Sequence, residues 1–338
     1  MKVLFSGRFD PQVVQRVEND WTVKWLPHKK GQWGLTEADL ISELQGFDVL
    51  VSEADLVTAK VCASSPTLKA VVATRGNPVN VDVPGATAEG VMVAYAPGRN
   101  AQAVAEICIA LMVMVARNVA PAMEALRNGQ WAKAPRAWAY QTFQGYELGG
   151  RTAGLVGLGA VARLVAKRLQ AFEMRVLAYD PYLSREAADQ AGAKLVSLDE
   201  LLKQADFISM HVHANDETRN MIGTKEFALM KPTAYFINTG RAGAVEEKAM
   251  IEALQQKRIA GAALDVFHQE PLPPDSPLLD LPNVVLLPHI GGATQDVVQH
   301  QSRIAEMNLK ALRADQPPTF LFNPEVLKNP RLRMVLKK

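Results

Sequence analysis

Short apolar runs alternate with amphipathic stretches along most of the chain. In the first hundred residues, runs rich in β-branched side chains predict strands over residues 2–6, 48–52, 68–74 and 91–95. The stretches between them carry turn residues or apolar positions at helical spacing. Strands that alternate with helices favour a parallel sheet connected by crossover helices. We therefore predict an α/β fold for this part of the chain.

A second and more regular alternation occupies the region from residue 152 to residue 287. Its predicted strands are residues 152–156, 175–179, 206–211, 233–237, 259–264 and 284–287, and its clearest helices are residues 160–171, 184–191 and 246–256. A helix over residues 101–119 and an extended loop or arm to Gly150 link the two blocks. A last helix, residues 295–313, ends before a Pro-Pro pair. Two α/β blocks therefore share one chain.

The composition is that of an ordinary globular protein, with 48% hydrophobic and 21% charged residues among 338. A net charge of +2 with scattered Lys and Arg gives no electrostatic case for a nucleic-acid partner. The longest apolar run, residues 107–116, is short of the roughly 20 residues that cross a bilayer. The first residues do not resemble a signal peptide. Cys62 and Cys108 stand in no metal-ligand or redox spacing. We expect a cytoplasmic protein without a membrane partner.

The strand predicted over residues 152–156 runs into a glycine turn and then a helix. Gly157, Gly159 and Ala162 occupy the three positions of the G-x-G-x-x-G/A pattern. The first glycine permits a tight turn, the second lets the backbone approach a pyrophosphate, and a small third residue keeps the helix close to the strand. The N–H groups at the helix N-terminus then hold the phosphates. The sequence therefore predicts a dinucleotide site at this turn.

An acidic residue, Asp180, follows the next strand, 23 positions after Gly157. A carboxylate there accepts hydrogen bonds from the ribose hydroxyls of NAD and repels the 2′-phosphate of NADP. Two other interpretations stay open: Asp180 as a turn residue before Pro181, and Arg185 as a partner for a 2′-phosphate. NAD is the predicted cofactor.

Three polar residues after later strands have the chemistry that hydride transfer at a 2-hydroxy acid needs. Arg241 is able to hold a carboxylate in a bidentate manner and to polarise the C2 oxygen. Histidine ordinarily titrates near neutrality, so His289 is able to exchange the hydroxyl proton. Glu270 is able to orient the histidine ring. Each residue alone has an ordinary alternative as a surface, ion-pair or loop residue. Together, behind a dinucleotide turn, they predict a catalytic site.

At these residues the sequence resembles the D-isomer-specific 2-hydroxyacid dehydrogenase family, and the likeness runs over nearly the whole chain. The matching segments are residues 96–106, 154–180, 226–233, 238–247, 261–271 and 288–292. The resemblance implies two Rossmann-like α/β domains, each a doubly wound parallel sheet, with the active site in the interdomain cleft. It assigns residues 1–100 plus 294–338 to a discontinuous substrate-binding domain and residues 101–293 to an NAD-binding domain. It also implies a homodimer.

The resemblance further implies a role for each site residue. Arg241 binds the carboxylate and the carbonyl oxygen, Glu270 supports His289 as acid/base, and Asp265 faces the nicotinamide. The arm over residues 131–146 is either a dimer contact or an ordinary covering loop. No metal is expected. The expected cofactor contacts are Gly157, Gly159, Ala160, Val161, Ala162, Asp180, Thr239, Gly240, Asp265 and Gly291, and the expected substrate contacts are Arg75, Gly76, Asn77, Arg241 and His289.

Three positions depart from the family pattern. The family usually has Ala-Arg-Gly around the catalytic arginine, whereas this chain has Gly240-Arg241-Ala242, and the Cβ of Ala242 is expected to shift Arg241 slightly. Ala162 stands at the third glycine position. His213 replaces a usual proline, two residues after His211. A metal pair there lacks a third ligand, so we expect His213 to lie at the solvent edge near the adenine pocket.

The loop over residues 74–80 is also distinctive. Arg75 either adds a cation for a second acidic group such as phosphate or pairs with a nearby acid, and the second alternative is favoured. Ser52 ends a predicted strand and Glu53 follows it, which makes them candidates for hydrogen bonds to substrate hydroxyls.

The predicted function is hydride transfer between NAD and C2 of a small D-2-hydroxy acid or its 2-oxo acid. Within this class the alternatives are D-3-phosphoglycerate oxidation and glyoxylate or hydroxypyruvate reduction. Many phosphoglycerate enzymes carry a C-terminal regulatory domain that is not expected in this sequence, which lowers the first alternative without removing it. An alternative of another class is an NAD-sensing, corepressor-like scaffold without catalytic activity.

Overall fold

The computed structural model describes residues 1–28 and 34–337, and the chain forms two units. One unit, called the split unit here, joins Met1–Asn100 to Thr294–Lys338. The other, called the central unit, is Ala101–Ala293. Each unit contains one sheet, and the strands of each sheet are parallel. This confirms the predicted α/β class with two doubly wound parallel sheets.

The split unit is built on a five-stranded sheet. Its strands are β1 (Lys2–Ser6), β2 (Thr22–Leu26), β3 (Val49–Ser52), β4 (Ala70–Ala73) and β5 (Met92–Ala94), and its first helices are α1 (Pro11–Glu18), α2 (Glu37–Glu43), α3 (Ala59–Ser64) and α4 (Val83–Ala88). The strand order is β2-β1-β3-β4-β5. The direction of the connections therefore reverses between β1 and β3, which is where open α/β sheets bind their ligands.

Burial explains which strands of the split unit could be predicted. β3, β4 and β5 are buried at every position, so they read as continuous apolar runs. β2 lies at the sheet edge, and its positions are exposed or half-buried, so it carries no such run and was not predicted. The helices begin at side chains that accept a backbone N–H, which satisfies donors that lack an intrahelical partner. These capping residues are Asp10, Thr36, Thr58 and Asp82.

The central unit carries a seven-stranded sheet. Its strands are β6 (Thr152–Val156), β7 (Arg175–Tyr179), β8 (Lys194–Leu195), β9 (Phe207–Met210), β10 (Tyr235–Asn238), β11 (Gly261–Leu264) and β12 (Val284–Leu286). Its helices are α5 (Ala101–Ala116), α6 (Val119–Arg127), α7 (Trp138–Thr142), α8 (Ala160–Ala171), α9 (Arg185–Gln190), α10 (Leu198–Gln204), α11 (Thr224–Leu229) and α12 (Glu247–Gln255). The strand order is β12-β11-β10-β9-β6-β7-β8, so the reversal falls between β6 and β9.

Apolar side chains cover both faces of this sheet. One cluster joins the sheet to α5 and α8, and a second joins it to α10, α11 and α12. Helices on both faces leave only the edges of the sheet for polar side chains. The carboxyl ends of the parallel strands share one edge, which is where the predicted site residues of this unit follow their strands.

The segment between α5 and β6 differs from its prediction as an extended arm. α5 ends at Ala116, and Asn118, with φ of 52°, leads into α6. Asparagine tolerates this left-handed conformation better than most residues. A 3₁₀ turn at Trp131–Lys133 and helix α7 follow. The arm is therefore partly helical. Its helices are too short and too interrupted to give a clear periodic pattern.

The last helix, α13 (Gln295–Arg313), belongs to the split unit. Thr294 caps its first turn, and Ala305, Leu309 and Leu312 enter the apolar cluster that also contains residues of β1 and α1. The chain beyond it is tied to β5, because the Phe322 amide donates to the Val93 carbonyl at 2.7 Å. The helix pattern did not reveal this packing.

Within the described residues, no single helix combines the length and apolar content needed to cross a membrane. α5 and α6 meet that criterion only as a pair bent by 68°.

Candidate active site

The turn after β6 has the geometry that a dinucleotide needs. Gly157 has φ of 88°, and a Cβ there would stand 2.9 Å from the Val212 side chain, so glycine is required. A Cβ on Gly159 would meet no atom within 4 Å, and Gly159 begins α8 without a side-chain cap. Exposed Ala160 and half-buried Val161 form the first turn of α8. Ala162 is fully buried against the sheet. The uncapped helix start and the open space before it fit a pyrophosphate.

Asp180 ties this turn to the end of β7. One carboxylate oxygen accepts the Leu158 amide N–H at 2.9 Å, and the other accepts the Tyr182 amide N–H at 3.0 Å. The residue is only half-buried. Because each carboxylate oxygen accepts more than one hydrogen bond, both remain able to accept ribose hydroxyls. The turn and Asp180 together fit NAD.

The two histidines after β9 have opposite surroundings. His211 has a buried Nε2 that finds no hydrogen-bond partner among the described residues. Burial lowers the pKa of His211 to about 4, so the ring is neutral at pH 7. His213 is exposed. Within residues 1–28 and 34–337, no group of three His, Cys, Asp or Glu side chains is placed to hold a metal ion.

A buried amide at the end of β10 shapes the loop that carries Arg241. Asn238 is 2% exposed; its Oδ1 accepts the Gly240 amide at 3.0 Å and its Nδ2 donates to the Arg241 carbonyl at 3.2 Å. A Cβ on Gly240 would stand 2.9 Å from the Met210 carbonyl oxygen, so this loop also needs glycine. Thr239 is buried beneath it. Asn238 was not among the predicted site residues, although an amide at the end of a buried strand is a recognisable signal.

Arg241 itself is exposed, and its Nη1 donates to the Gly240 carbonyl at 2.8 Å. Ala242 begins a 3₁₀ turn, Ala242–Ala244, that the Val245 amide closes on the Ala242 carbonyl at 2.9 Å. Ala242 has no positive φ, so its Cβ fits this turn. The expected shift of Arg241 relative to other family members stays a prediction.

Glu270 and His289 form the contact that the sequence predicted. The distance between His289 Nδ1 and Glu270 Oε2 is 2.7 Å, and Glu270 Oε1 accepts the Phe267 amide at 3.0 Å. Burial alone would raise the pKa of Glu270, but hydrogen bonds from His289 and Phe267 and the charge of Arg241 outweigh it and leave that pKa below its ordinary value. An ionised carboxylate only accepts, so Nδ1 donates and Nε2 is left to exchange a proton.

Asp265 holds the loop that carries His289. Asp265 is 1% exposed, and its two oxygens accept the Ile290 and Gly291 amides, each at 2.8 Å. A Cβ on Gly291 would stand 2.7 Å from this carboxylate. His289 has φ of 53°, a conformation that costs energy for a non-glycine residue and is held here by its neighbours. The hydrogen bonds of Asp265 thus position His289, and a contact with nicotinamide stays a prediction.

The remaining predicted residues lie in the split unit. Arg75 is half-buried after β4, and Gly76 and Asn77 are exposed. We had expected Ser52 and Glu53 to bind substrate hydroxyls. Both are buried and bonded to other residues, so neither is available to a substrate. Ser52 Oγ donates to Asp55 at 2.8 Å.

Glu53 is bonded to Arg8. Both carboxylate oxygens accept from its guanidinium, with a shortest distance of 2.6 Å, and Oε2 also accepts the Arg8 amide at 2.8 Å. The interpretation of Glu53 as a ligand for hydroxyls is therefore wrong.

The turn after β6 and the sheet around it have the form of a dinucleotide-binding domain, and comparison with known proteins agrees. The D-isomer specific 2-hydroxyacid dehydrogenase NAD binding domain matches residues 109–291, more than half of the chain. Glyoxylate reductase of Thermococcus litoralis is 36% identical over 328 residues, which cover 96% of this chain and 98% of that protein. D-3-phosphoglycerate dehydrogenase of Methanocaldococcus jannaschii is 38% identical over 296 residues, which cover 87% of this chain.

The chain spans about half the length of that second relative, since the match covers 55% of it. Among solved structures, the TT0316 protein from Thermus thermophilus aligns with a TM-score of 0.82 and 32% identity, over 95% of this chain and 100% of that one. The chain therefore belongs to the D-isomer-specific 2-hydroxyacid dehydrogenase family, and the matched region is the NAD binding domain of that family.

Proposed function

We propose that this protein interconverts a small D-2-hydroxy acid and its 2-oxo acid. The contact of 2.7 Å between Glu270 and His289, on the same sheet edge as the dinucleotide turn, carries this proposal. This contact orients His289, the group that the proposed reaction needs to exchange the hydroxyl proton. Arg241, which follows the neighbouring strand β10, is the cation for the substrate carboxylate.

In the reducing direction the protein's own groups have separate tasks. NADH, when bound, supplies the hydride to C2 of the oxo acid. Arg241 holds the carboxylate and polarises the C2 oxygen, so that negative charge develops beside a fixed cation. His289 gives its Nε2 proton to that oxygen while Glu270 stabilises the charged ring. The oxidising direction reverses each transfer. Gly76 and Asn77 are proposed to bind the carboxylate through their amides.

The substrate is proposed to be a small 2-oxo acid of the glyoxylate or hydroxypyruvate type, with 3-phosphohydroxypyruvate as the alternative. Glyoxylate reductases and D-3-phosphoglycerate dehydrogenases are both similar in sequence to this chain, and the coverage of a glyoxylate reductase is nearly complete. This favours the first type.

The test is a panel of 2-oxo acids followed by NADH absorbance, with the matching hydroxy acids and NAD in the other direction. We expect turnover with at least one pair and a clear preference for NADH over NADPH. NADH binding without turnover of any acid would contradict catalysis and support the scaffold alternative.

A cytoplasmic homodimer belongs to the same proposal. Both cysteines, Cys62 and Cys108, are buried free thiols, as suits a reducing compartment. Large apolar side chains are exposed in and beside the arm, and a second copy of the chain would bury them. They are Met123, Leu126, Trp131, Tyr140 and Tyr146.

Leu126→Glu is expected to shift the mass measured by light scattering from dimer to monomer. Leu279→Glu, which changes a similarly exposed leucine of the same unit, is the control. A wild-type monomer would contradict the dimer.

A further inference from the structure

Two loops of the central unit are joined by a side-chain hydrogen bond beside the dinucleotide turn. The sheet order places β6 between β7 and β9, so the turn after β6 begins between the loop that follows β7 and the loop that follows β9. The ends of β7 and β9 are two strand spacings apart, or about 10 Å. The Tyr182 hydroxyl of the first loop donates to the Glu217 carboxylate of the second. This pair therefore spans the turn that fits a pyrophosphate.

Tyr182 is also tied to the acidic residue of the cofactor site. Asp180 accepts the Leu158 amide through one carboxylate oxygen and the Tyr182 amide through the other. The hydrogen bond to Glu217, together with the negative charges of Glu217 and Asp180, raises the pKa of Tyr182, so the hydroxyl keeps its proton and remains a donor. The phenol ring is thus held at both ends, by Asp180 at the backbone and by Glu217 at the hydroxyl.

Glu217 stands on a short turn that its neighbours hold in place. Asn215 Oδ1 accepts the Glu217 amide at 3.1 Å, and the Arg219 amide donates to the Asn215 carbonyl at 2.9 Å. The Arg219 guanidinium lies 3.6 Å from the carboxylate of Asp216, the residue before Glu217. The carboxylate that Tyr182 meets is therefore presented by an ordered turn.

The Tyr182 ring is fixed but mostly uncovered. The residue is 77% exposed although its hydroxyl is bonded. A ring that filled a pocket between the two loops would be buried, so this exposure places the ring at the rim with an aromatic face open to solvent. Aromatic faces bind flat heteroaromatic bases by stacking, and a stacked base removes apolar ring surface from water.

The adenosine half of the cofactor is the half that reaches this pair. In dinucleotide-binding sheets, the acid that follows the second strand of the fold accepts the hydroxyls of the adenosine ribose, and Asp180 has that position after β7. Asp265 and His289 follow β11 and β12, which lie on the other side of β6 in the sheet. Tyr182, two residues beyond Asp180, is therefore beside the adenine end and away from the reacting groups.

We propose that Tyr182 binds the adenine of NAD(H) by stacking and that Glu217 is the positioning residue that holds the ring for it. The base and its ribose are then recognised by two residues of one loop, Tyr182 and Asp180. This role accounts for a tyrosine that two carboxylates fix and that is nevertheless 77% exposed. Both residues act on the cofactor alone, so the role does not depend on which acid the protein converts.

The experiment measures binding of NADH by fluorescence titration and of ADP-ribose, which contains adenosine but no nicotinamide, by calorimetry. The variants of the full chain are Tyr182→Ala, Tyr182→Phe, Glu217→Ala, Glu217→Gln and the double variant Tyr182→Phe with Glu217→Ala. Asp216→Ala is the matched control, because it removes an equal charge from an exposed neighbour in the same turn. Thermal unfolding checks that each variant remains folded.

Tyr182→Ala should raise the Kd of NADH and of ADP-ribose by the same factor, about 10- to 100-fold. Tyr182→Phe and Glu217→Ala should each raise both values by about 3- to 10-fold, and the double variant should be no worse than either, because both changes remove one hydrogen bond. Glu217→Gln should keep most of the affinity, since its amide oxygen still accepts from the hydroxyl.

The sign of the Glu217→Ala effect distinguishes positioning from charge. Loss of a negative charge should by itself strengthen the binding of an anionic pyrophosphate, so Asp216→Ala should leave the Kd unchanged or lower it slightly. Weaker binding with Glu217→Ala alone supports the proposal.

Four outcomes would overturn the proposal. They are a Kd within about 2-fold of wild type for Tyr182→Ala, tighter binding by that variant, a loss for NADH without a loss for ADP-ribose, and equal changes in Glu217→Ala and Asp216→Ala. These measurements need no turnover, so their result is separate from that of the oxo acid panel.

Discussion

Two loops of the central unit use the same pair of residue types in opposite ways. The dinucleotide turn after β6 is held by Asp180 and lies against the backbone of His211, whereas the loop after β12 is held by Asp265 and carries His289. Asp180 is half-buried and Asp265 is 1% exposed. The burial of the two histidines is the opposite of that of the aspartates. The Nε2 of His211 is buried and has no partner among the described residues, whereas the His289 side chain is 48% exposed and bonded to Glu270.

The comparison shows that surroundings, not residue type, decide which groups perform chemistry. A carboxylate whose oxygens are both occupied in the core, such as Asp265, positions a loop. A half-exposed carboxylate such as Asp180 does the same and still has lone pairs for a ligand. A histidine held neutral by burial does not exchange protons near pH 7, whereas an exposed histidine beside a carboxylate is able to.

Removal of His289 should cause the largest loss of kcat. His289→Ala removes the proton carrier, so kcat should fall by about 10²- to 10⁴-fold while NADH binding is retained. Stopped-flow or steady-state NADH oxidation gives kcat, and fluorescence titration gives the NADH Kd. Lys248→Ala is the control, because Lys248 is exposed on α12 in the same unit and outside the Glu270 contact. Near-normal turnover of His289→Ala would end its assignment as acid/base.

Asp265→Asn should cause the second-largest loss of kcat. The NH2 group that replaces one carboxylate oxygen cannot accept a backbone N–H, so one buried donor of the His289 loop loses its partner. This should lower the free energy of unfolding by about 1–3 kcal/mol. We expect kcat to fall by about 10- to 100-fold through displacement of His289.

Asp206→Asn is the matched control for Asp265→Asn. Asp206 also accepts a backbone amide, from Thr152 at 2.9 Å, but precedes β9 at the opposite edge of the sheet. It should lose stability without losing kcat. Equal losses of kcat in the two variants would show that Asp265 acts through general stability alone.

His211 should make the free energy of unfolding depend on pH. Its pKa of about 4 in the folded protein lies below the ordinary value of 6.5, so the unfolded chain binds a proton between these values and the folded chain does not. Stability is therefore unaffected by His211 above about pH 6.5 and decreases as the pH falls towards 4. Between pH 7.5 and pH 5 the loss is about 2 kcal/mol.

Urea unfolding at the two pH values, with His211→Gln and His213→Gln, tests this. The first variant should lose most of that pH dependence and the second should keep it, because His213 is exposed. Parallel pH dependence in the wild type and in His211→Gln would show that other groups cause the acid sensitivity.

Asp180→Asn should have the smallest effect on stability, under about 1 kcal/mol, because the residue is half-buried and water is able to replace its contacts. Its effect should appear in cofactor choice. Loss of the negative charge should reduce the ratio of kcat/KM for NADH over NADPH by about 10-fold. An unchanged ratio would leave Asp180 as a loop-holding residue only.

The sequence by itself determined much of the central unit. The run from β6 through the glycine turn to Asp180 is local, and local steric rules fix why Gly157 is glycine and why a helix starts after Gly159. The pairing of Glu270 with His289 was also predicted, from residue chemistry and family likeness. The exposed edge strand β2 could not be predicted from the pattern, because it has no continuous apolar run.

Only the tertiary structure decided which polar side chains are free to meet a ligand. Glu53 was predicted to bind substrate hydroxyls, but the structure pairs it with Arg8. The sequence did not indicate that Arg99 is bonded to Gln301 of the last helix. The physical reason is that burial and hydrogen-bond satisfaction depend on residues far apart in sequence: 45 positions separate Arg8 from Glu53, and 202 separate Arg99 from Gln301. The local sequence determines the backbone conformation at each strand end. Side-chain partners from distant segments decide whether a charged group there is available to a ligand.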